Sequence, residues 1–161
     1  MIDRAYLANL FRRHAKTVYR VGIAYGFQPA DCEDLVQESF IRLMQAQPIF
    51  RDPEHEKAWL IVTAGNICKD YYKSKQSQEL PLEDWDRAVE PQGESEILYW
   101  VKRLPERLRL PVHLTYFEGY NSQEIGQMLN INPASARRQL VEARAILREK
   151  LEGGKYGRQE I

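Results

Sequence analysis

The sequence predicts an all-α protein of two small helical domains joined by an acidic, flexible linker. Apolar residues recur at helical spacing along most of the chain, and sustained period-two alternation and Asn-Gly or Asp-Gly hairpin turns are absent from the sequence. Residues 77–95 are polar, acidic and interrupted by prolines, which is a linker composition. We therefore expect domains at residues 1–76 and 96–154, with a flexible tail at residues 155–161.

Helix-breaking residues mark the ends of the elements in each domain. Gly26 and Pro29 separate the first helix from the second, and Pro48 and Pro53 bracket a loop before the third. The later helices are delimited in the same way by prolines and by a single glycine. The predicted helices span about residues 3–25, 31–47, 54–75, 95–104, 105–117, 122–129 and 133–151.

Composition favours a folded protein that works in the cytosol. Hydrophobic residues make up 43% of the chain and charged residues 29%, and no apolar run approaches the ~20 residues that cross a bilayer. Cys32 and Cys68 lack metal-ligand spacing, so we expect buried free thiols. We expect no metal and no cofactor.

The net charge of the chain is zero, but the charge is unevenly distributed. Residues 81–100 carry six acids and one base, whereas residues 101–161 carry eleven bases and seven acids. A zero total removes the simplest argument for nucleic-acid binding, which is a strongly basic domain. The C-terminal part is nevertheless basic enough to contact DNA.

Residues 121–151 have the pattern of two helices joined by a short turn. Ser122 is a good N-cap, and Pro133 suits the first turn of the second helix. Small residues at the tip of that helix would let it enter a DNA major groove. Its apolar stripe is Ala136, Leu140, Ala143 and Leu147, flanked by Arg137, Arg144 and Arg148, with Ala134, Arg138, Val141 and Ala145 opposite. A helix-turn-helix is the favoured interpretation, and a plain helical corner is the alternative.

Two further helix faces are candidate binding surfaces. In the second helix, Asp31, Asp34, Glu38 and Ile41 follow one face, which is either solvated or a docking strip for a basic partner. In the third helix, Leu60, Ala64, Ile67 and Tyr71 are predicted to point inward, and Asn66, Lys69 and Lys73 outward. Trp59, Tyr71 and Tyr72 interleave with these bases, a mixture that suits either a core or unstacked bases of a single strand.

Three blocks resemble a known family: DCEDLVQESFIRLMQAQPIF, then KAWLIVTAGNICKDYYKSK, then LPERLRLPVHLTYFEGYNSQEIGQMLNINPASARRQLVEARAILREKL. Together they look like a bacterial sigma factor of the sigma-70 family, extracytoplasmic-function (ECF) group. The resemblance implies a non-enzymatic transcription initiation factor that binds core RNA polymerase at its β′ clamp helices and β flap. It also implies binding of promoter DNA and, as a further candidate partner, of an anti-sigma factor. The acidic linker is similar to the segment that threads through the polymerase.

The resemblance assigns roles to residues of this chain. The implied polymerase-binding residues are Asp31, Asp34, Leu35, Gln37, Glu38 and Ile41. The implied minus-ten contacts are Trp59, Asn66, Lys69, Asp70, Tyr72 and Lys73. The implied minus-thirty-five contacts are Ser122, Pro133, Ala134, Ser135, Arg137, Arg138, Arg144 and Arg148. The chain departs from the family at Gln139 and Glu142, where Arg is common, at Asn132-Pro133, and in the acidic loop FRDPEHEK.

Two other function classes compete with this interpretation. A stand-alone helix-turn-helix repressor would need residues 121–151 alone. A helical enzyme or metal carrier would need clustered ligands, but His14, His55 and His113 are scattered and no Glu-x-x-His motif is present. Tight duplex binding without polymerase would favour the first class, and a stoichiometric metal ion the second.

Overall fold

A computed structural model describes residues 1–76 and 95–153, and these residues form seven α-helices with no strand among them. The helices are α1 (Arg4–Ala24), α2 (Pro29–Ala46), α3 (Pro53–Gln76), α4 (Glu96–Val101), α5 (Glu106–Tyr116), α6 (Ser122–Leu129) and α7 (Pro133–Gly153). The all-α prediction is confirmed. The predicted linker and tail lie outside the described residues, apart from Ser95, whose side chain caps α4.

The chain divides into two compact units, the first of which is Met1–Tyr72. In this unit α1 packs closely on α2, because Gly22 leaves room for the partner helix. A Cβ atom built on Gly22 would lie 2.8 Å from Cys32 Sγ. Both cysteines are buried thiols, and neither forms a disulfide, as predicted. The core of the unit includes Leu10, Val18, Val21, Tyr25, Leu35, Leu43, Leu60, Ile61 and Ala64.

A buried carboxylate joins α3 to α1 in the first unit. Glu56 is only 4% exposed, and its Oε2 accepts a 2.7 Å hydrogen bond from the Tyr6 hydroxyl. Its Oε1 accepts a 2.9 Å bond from Arg13 and lies 3.1 Å from His14 Nε2. Burial alone would raise the pKa of Glu56, but the bonds from Tyr6, His14 and Arg13 outweigh it and lower that pKa.

The second unit is held by a core between α4, α5 and α7. Its buried cluster confirms the predicted stripe of α7, since Leu140, Ala143 and Leu147 belong to it. The other members come from α4, α5 and the segment between them: Val101, Leu104, Leu108 and Val112. Because this face of α7 is buried in the core, only residues on its other faces remain available to a ligand.

The helix-turn-helix is present, but its first cap differs from the prediction. Asn121, not Ser122, is the N-cap of α6, because its side chain and that of Glu124 bond to each other's backbone N–H in a capping box. Asn130 ends α6 in the left-handed region at φ 57°. Asn132 then caps α7 through a 2.8 Å bond from the Ala134 N–H to its side-chain oxygen.

Three other predictions about the helices need correction. Helix α2 begins at Pro29, two residues before the predicted start, since proline at the first position loses no helical hydrogen bond. Helix α4 stops at Val101, short of Leu104. Tyr71 was predicted to point inward but is 38% exposed, because it lies near the C-terminal end of α3, where its ring contacts Phe27. None of the helices in residues 1–76 and 95–153 could span a membrane.

Candidate polymerase and nucleic-acid interfaces

The second helix presents an acidic strip on its exposed side. Asp34, Gln37 and Ile41 are exposed, and Ile41 is notable as an apolar side chain that is 49% in solvent. Glu38 is half-exposed and accepts a 3.4 Å bond from Arg42, four residues on. Asp31 is half-buried at the start of the helix.

Leu35 is the exception among the predicted polymerase contacts. It is only 2% exposed, and its side chain lies where α2 meets Gly22 of α1. The helix turn that exposes Asp34 directs the next residue into the core. The structure therefore assigns Leu35 to packing, and the strip is defined below as Asp31, Asp34, Gln37, Glu38 and Ile41.

One face of α3 carries most of the predicted minus-ten residues. Trp59, Asn66 and Lys73 are spaced seven residues apart, so they lie along nearly one line, about 10 Å between neighbours. Asn66, Asp70 and Lys73 are exposed, and Lys69 and Trp59 are half-buried. A straight row of an aromatic, an amide and a cation offers stacking, hydrogen bonding and charge to one strand.

Tyr72 does not join this row. Its hydroxyl donates a hydrogen bond to the Tyr25 backbone carbonyl, and its ring lies 6.2 Å from that of Tyr25 and 6.0 Å from that of Phe27. These contacts turn the ring toward the end of α1 and away from the Asn66 face. The structure thus gives Tyr72 a packing role that its position in the sequence did not indicate.

The loop before α3 forms an aromatic corner beside the same face. Phe50 makes edge contacts with His55 at 5.2 Å and with Trp59 at 6.1 Å. Ile49 protrudes from this loop with 89% of its surface exposed. Sequence reasoning noted the acidity of the loop but missed the apolar residue that it presents.

The tip of α7 has the features expected of a DNA-reading helix. Pro133, Ala134 and Ser135 occupy its first turn, and all three are partly accessible. Arg137 and Arg138 are exposed one turn later. Arg138 donates a 2.9 Å bond to the Ser135 hydroxyl, which orients its guanidinium beside the tip. Ser122 lies apart from this set, half-buried in the first turn of α6.

Arg144 and Arg148, two of the predicted minus-thirty-five contacts, are on the C-terminal half of α7. They line an apolar groove of about 460 Å³ that is formed by α4, α5 and the C-terminal half of α7. Arg144 donates a 2.6 Å bond to the Tyr116 hydroxyl of α5, which holds it at the rim. Arg148 is about 16 Å along the helix from Arg137, beyond the turns that enter a groove of DNA.

The groove is a surface that sequence analysis missed altogether. Its walls include Ile97, Tyr116 and Phe117, each about half-exposed, and its floor is Val101, Val112 and Leu147. Exposed apolar residues gathered in a concave site are typical of sites that bind a protein, a membrane or a ligand. No local sequence signal could reveal it, because its walls come from separate helices of the second unit.

Glu142, which departs from the family pattern, forms an ion pair within the protein. Both of its carboxylate oxygens accept bonds from Arg107 of α5, in an exposed, bidentate pair. The bond from Arg107 lowers the pKa of Glu142 and raises that of Arg107. The pair joins α7 to α5. No cluster of three potential metal ligands occurs in the part of the chain that the structure describes.

Comparison with known families accounts for both units. The Sigma-70 region 2 model matches residues 10–78, and the Sigma-70 region 4 model matches residues 95–147. RNA polymerase sigma factor SigZ of Bacillus subtilis (strain 168) is 30% identical over 128 residues, which are 75% of this chain and 73% of SigZ. The chain belongs to the sigma-70 family.

Other relatives place this sigma factor in the extracytoplasmic-function group. ECF RNA polymerase sigma factor SigE of Mycolicibacterium smegmatis (strain ATCC 700084 / mc(2)155) is 30% identical over 157 residues, 89% of this chain and 60% of SigE. Probable RNA polymerase sigma factor RfaY of Xanthomonas campestris pv. campestris is 27% identical over 150 residues. That match covers 84% of this chain but only 38% of RfaY. The sigma factor thus spans less than two thirds of these two relatives.

Two solved structures share the fold of this sigma factor. CnrH, in complex with the cytosolic domain of CnrY, has a TM-score of 0.68 at 21% identity, covering 94% of this chain and 90% of CnrH. The sigma factor RpoE from Bartonella quintana, in complex with the anti-sigma factor NepR, has a TM-score of 0.66 at 19% identity. The match covers 88% of this chain and 94% of RpoE.

Proposed function

We propose that this sigma factor binds bacterial core RNA polymerase and directs it to promoters by recognising minus-ten and minus-thirty-five elements. The observation that carries the proposal is the pairing of two surfaces in one chain: the acidic strip on α2 and the helix-turn-helix tip on α7. A repressor that acts alone needs only the helix-turn-helix tip. We further propose that the protein works in the cytoplasm and catalyses no reaction.

The α2 strip is proposed to dock on the β′ clamp helices of the polymerase. Asp34 and Glu38 provide charge for a basic partner, and Ile41, about one turn beyond Glu38, provides an apolar anchor. Met44, 37% exposed one turn beyond Ile41, extends the apolar part. A strip that combines acidic and apolar side chains attracts a basic partner at long range and buries apolar surface once the two proteins are in contact.

The Asn66 face of α3 is proposed to hold the melted minus-ten strand. Asn66 is exposed and offers both a donor and an acceptor to a base, while Lys69 and Lys73 offer charge to phosphates. Extruding a base costs about a few kcal/mol of lost stacking, so a receiving site must return that energy. Trp59 lies on the same line of α3 as Asn66, and with Phe50 it forms an aromatic corner that could do so.

The tip of α7 is proposed to read the minus-thirty-five element, and the apolar groove to receive the polymerase β flap. Arg137 and Arg138 are the exposed cations of the tip. Arg144 and Arg148 are reassigned from DNA to the rim of the groove. An anti-sigma factor is the remaining partner that we propose, by analogy with the complex reported for RpoE.

A binding experiment with and without core polymerase tests this function against the repressor alternative. Fluorescence anisotropy of a labelled promoter fragment should show tight, sequence-specific binding only when core polymerase and the sigma factor are both present. The zero net charge supports weak binding by the free chain. Equally tight duplex binding by the sigma factor alone would identify a repressor and contradict the proposal.

Replacing Arg137 and Arg138 together by Ala should weaken promoter binding by about 10- to 100-fold and reduce its salt dependence by about two phosphate contacts. The measurement is the slope of log affinity against log salt for the polymerase complex. The paired variant Arg144→Ala with Arg148→Ala removes the same charge from the same helix. Because these residues line the groove proposed for the β flap, the salt slope is measured with core polymerase in saturating excess, where it should equal that of wild type. Equal slopes for the two double variants would refute the assignment of the tip.

A further inference from the structure

Helix α7 exposes an apolar side chain one turn beyond the cations of its tip. Val141 is 60% exposed, although valine is among the residue types most often buried. At about 100° per residue, the buried stripe that includes Leu140 and Ala143 is centred about 130° round the helix axis from Val141. Neither the buried cluster of the second unit nor the lining of the apolar groove includes Val141.

Val141 lies on the same face of α7 as the tip. It follows Arg137 by four residues and Arg138 by three, so in projection it lies between them, about 40° from the first and about 60° from the second. Along the axis it is about 4.5–6 Å farther from the start of the helix. Ala134, seven residues earlier, is only about 20° away. A duplex that receives this face of the first two turns therefore meets Val141 next.

The neighbouring side chains leave Val141 as the apolar group of this face. Glu142, the next residue, accepts bonds from Arg107 of α5 at both carboxylate oxygens, so its side chain is held toward α5. Ala134, Val141 and Ala145 are the apolar residues on this face, and Val141 is the one whose side chain extends beyond Cβ. Val141 is thus the apolar residue with the longest reach toward a ligand of the tip.

The chemistry of Val141 matches one group in the major groove of DNA. The base-pair edges there present hydrogen-bond donors and acceptors, and the one methyl group among them is the C5 methyl of thymine. A valine side chain has no hydrogen-bonding atom, so it gains from contact with that methyl and not from a bare donor or acceptor. Helix stability does not account for this residue, because valine is less favourable in a helix than alanine.

We propose that Val141 reads a thymine of the minus-thirty-five element through contact with its C5 methyl group. The inference rests on the proposed function, since it needs promoter DNA on the α7 tip. It requires a thymine on one strand of the element, next to the groups that Arg137 and Arg138 contact. The two kinds of side chain then have separate effects: a cation on a phosphate gives affinity that depends on salt, whereas Val141 gives preference for one base.

Uracil tests this contact, because deoxyuridine keeps every hydrogen-bonding group of thymidine and lacks only the methyl. The probe is a promoter fragment identified by transcript mapping, in which each thymine of the minus-thirty-five element is replaced in turn by deoxyuridine. Binding is measured with core polymerase in saturating excess. For wild type, one replacement should weaken binding by about three- to fivefold, the effect of one buried methyl group, and the others by less than about 1.5-fold.

Two variants of α7 assign the methyl contact to a residue. Val141→Ala should bind the unmodified promoter about as weakly as wild type binds the sensitive uracil promoter, and uracil at that position should then have no further effect. Glu149→Ala, exposed on α7 about two turns farther on, should keep the full loss caused by uracil. Val141→Ala should fold, because the residue is exposed and alanine favours the helix.

Three outcomes would overturn the inference and leave the proposed function intact. The first is a minus-thirty-five element that has no thymine on either strand, or none whose replacement weakens binding. The second is an equal effect of uracil in wild type and in Val141→Ala, which would mean that another residue contacts the methyl. The third is a loss of affinity for core polymerase in Val141→Ala, which would assign Val141 to a protein interface. Failure of the wild-type complex to bind any promoter would instead refute the proposed function itself.

Discussion

Reversing two charges on α2, with Asp34→Lys and Glu38→Lys together, is expected to weaken binding to core polymerase by at least about 100-fold. Each residue is accessible, and placing like charges against a basic docking surface costs several kcal/mol, where 1.4 kcal/mol is about tenfold. The fold should survive, because the ion pair lost is the exposed Glu38–Arg42 pair, of a kind worth about 0.3–0.5 kcal/mol. Titration of labelled sigma factor with core polymerase measures the effect.

A matched variant separates docking from net charge. Glu54→Lys with Glu149→Lys makes the same change in charge at exposed positions outside the proposed surfaces, and it should bind polymerase normally. If both double variants bind with wild-type affinity, the strip is only a solvated face. If the Asp34/Glu38 variant unfolds, those residues are structural and the assignment fails for a different reason.

Replacing Glu56 by Gln is expected to destabilise the first unit by about 3 kcal/mol at neutral pH. The amide cannot accept from Tyr6, Arg13 and His14 together as the carboxylate does, and it leaves polar groups of α1 without a charged partner inside the protein. Denaturant unfolding of the full chain provides the measurement. Glu54→Gln, two residues earlier in the same first turn but exposed, should change the unfolding free energy by less than about 0.5 kcal/mol.

The same substitution predicts a pH dependence of known sign. The folded-state pKa of Glu56 lies below its ordinary value of 4.5, so the carboxylate stabilises the fold above that value. The stabilisation is lost as the pH falls through 4.5 and then through the lower folded-state pKa. The difference in unfolding free energy between wild type and Glu56→Gln should therefore shrink in acid. A difference that stays constant from neutral pH to below about 4 would show that the Glu56 charge does not link α1 to α3.

Much of the fold could be predicted from local pattern because the signals are local. The helix start at Pro133 and the apolar stripe of α7 are both signalled by residues that are near one another in the sequence. The structure confirms both predictions. The Asn121–Glu124 capping box can also be recognised in the sequence, since its N-cap and N3 residues are three positions apart. Choosing Ser122 as the cap was wrong because two good cap residues stand next to each other and only the backbone conformation decides between them.

The candidate site was less predictable wherever a residue depends on distant partners. Glu56 looks like an ordinary acid in a first turn, and its partners in α1 are more than 40 residues away. Arg144 shares a helix flank with Arg137, but Arg144 bonds Tyr116 and lines the apolar groove, whose other walls come from distant parts of the chain. Leu35 sits between exposed residues of α2, and only the approach of Gly22 shows that it is packed.

The central claim is that this chain directs core RNA polymerase to specific promoters. Mapping the 5′ ends of transcripts made from genomic DNA by core polymerase reconstituted with the full chain tests it most directly. The account predicts a small set of start sites that core polymerase alone does not use, each preceded by the same pair of spaced elements. No stimulation, or start sites identical to those of core polymerase alone, would contradict it.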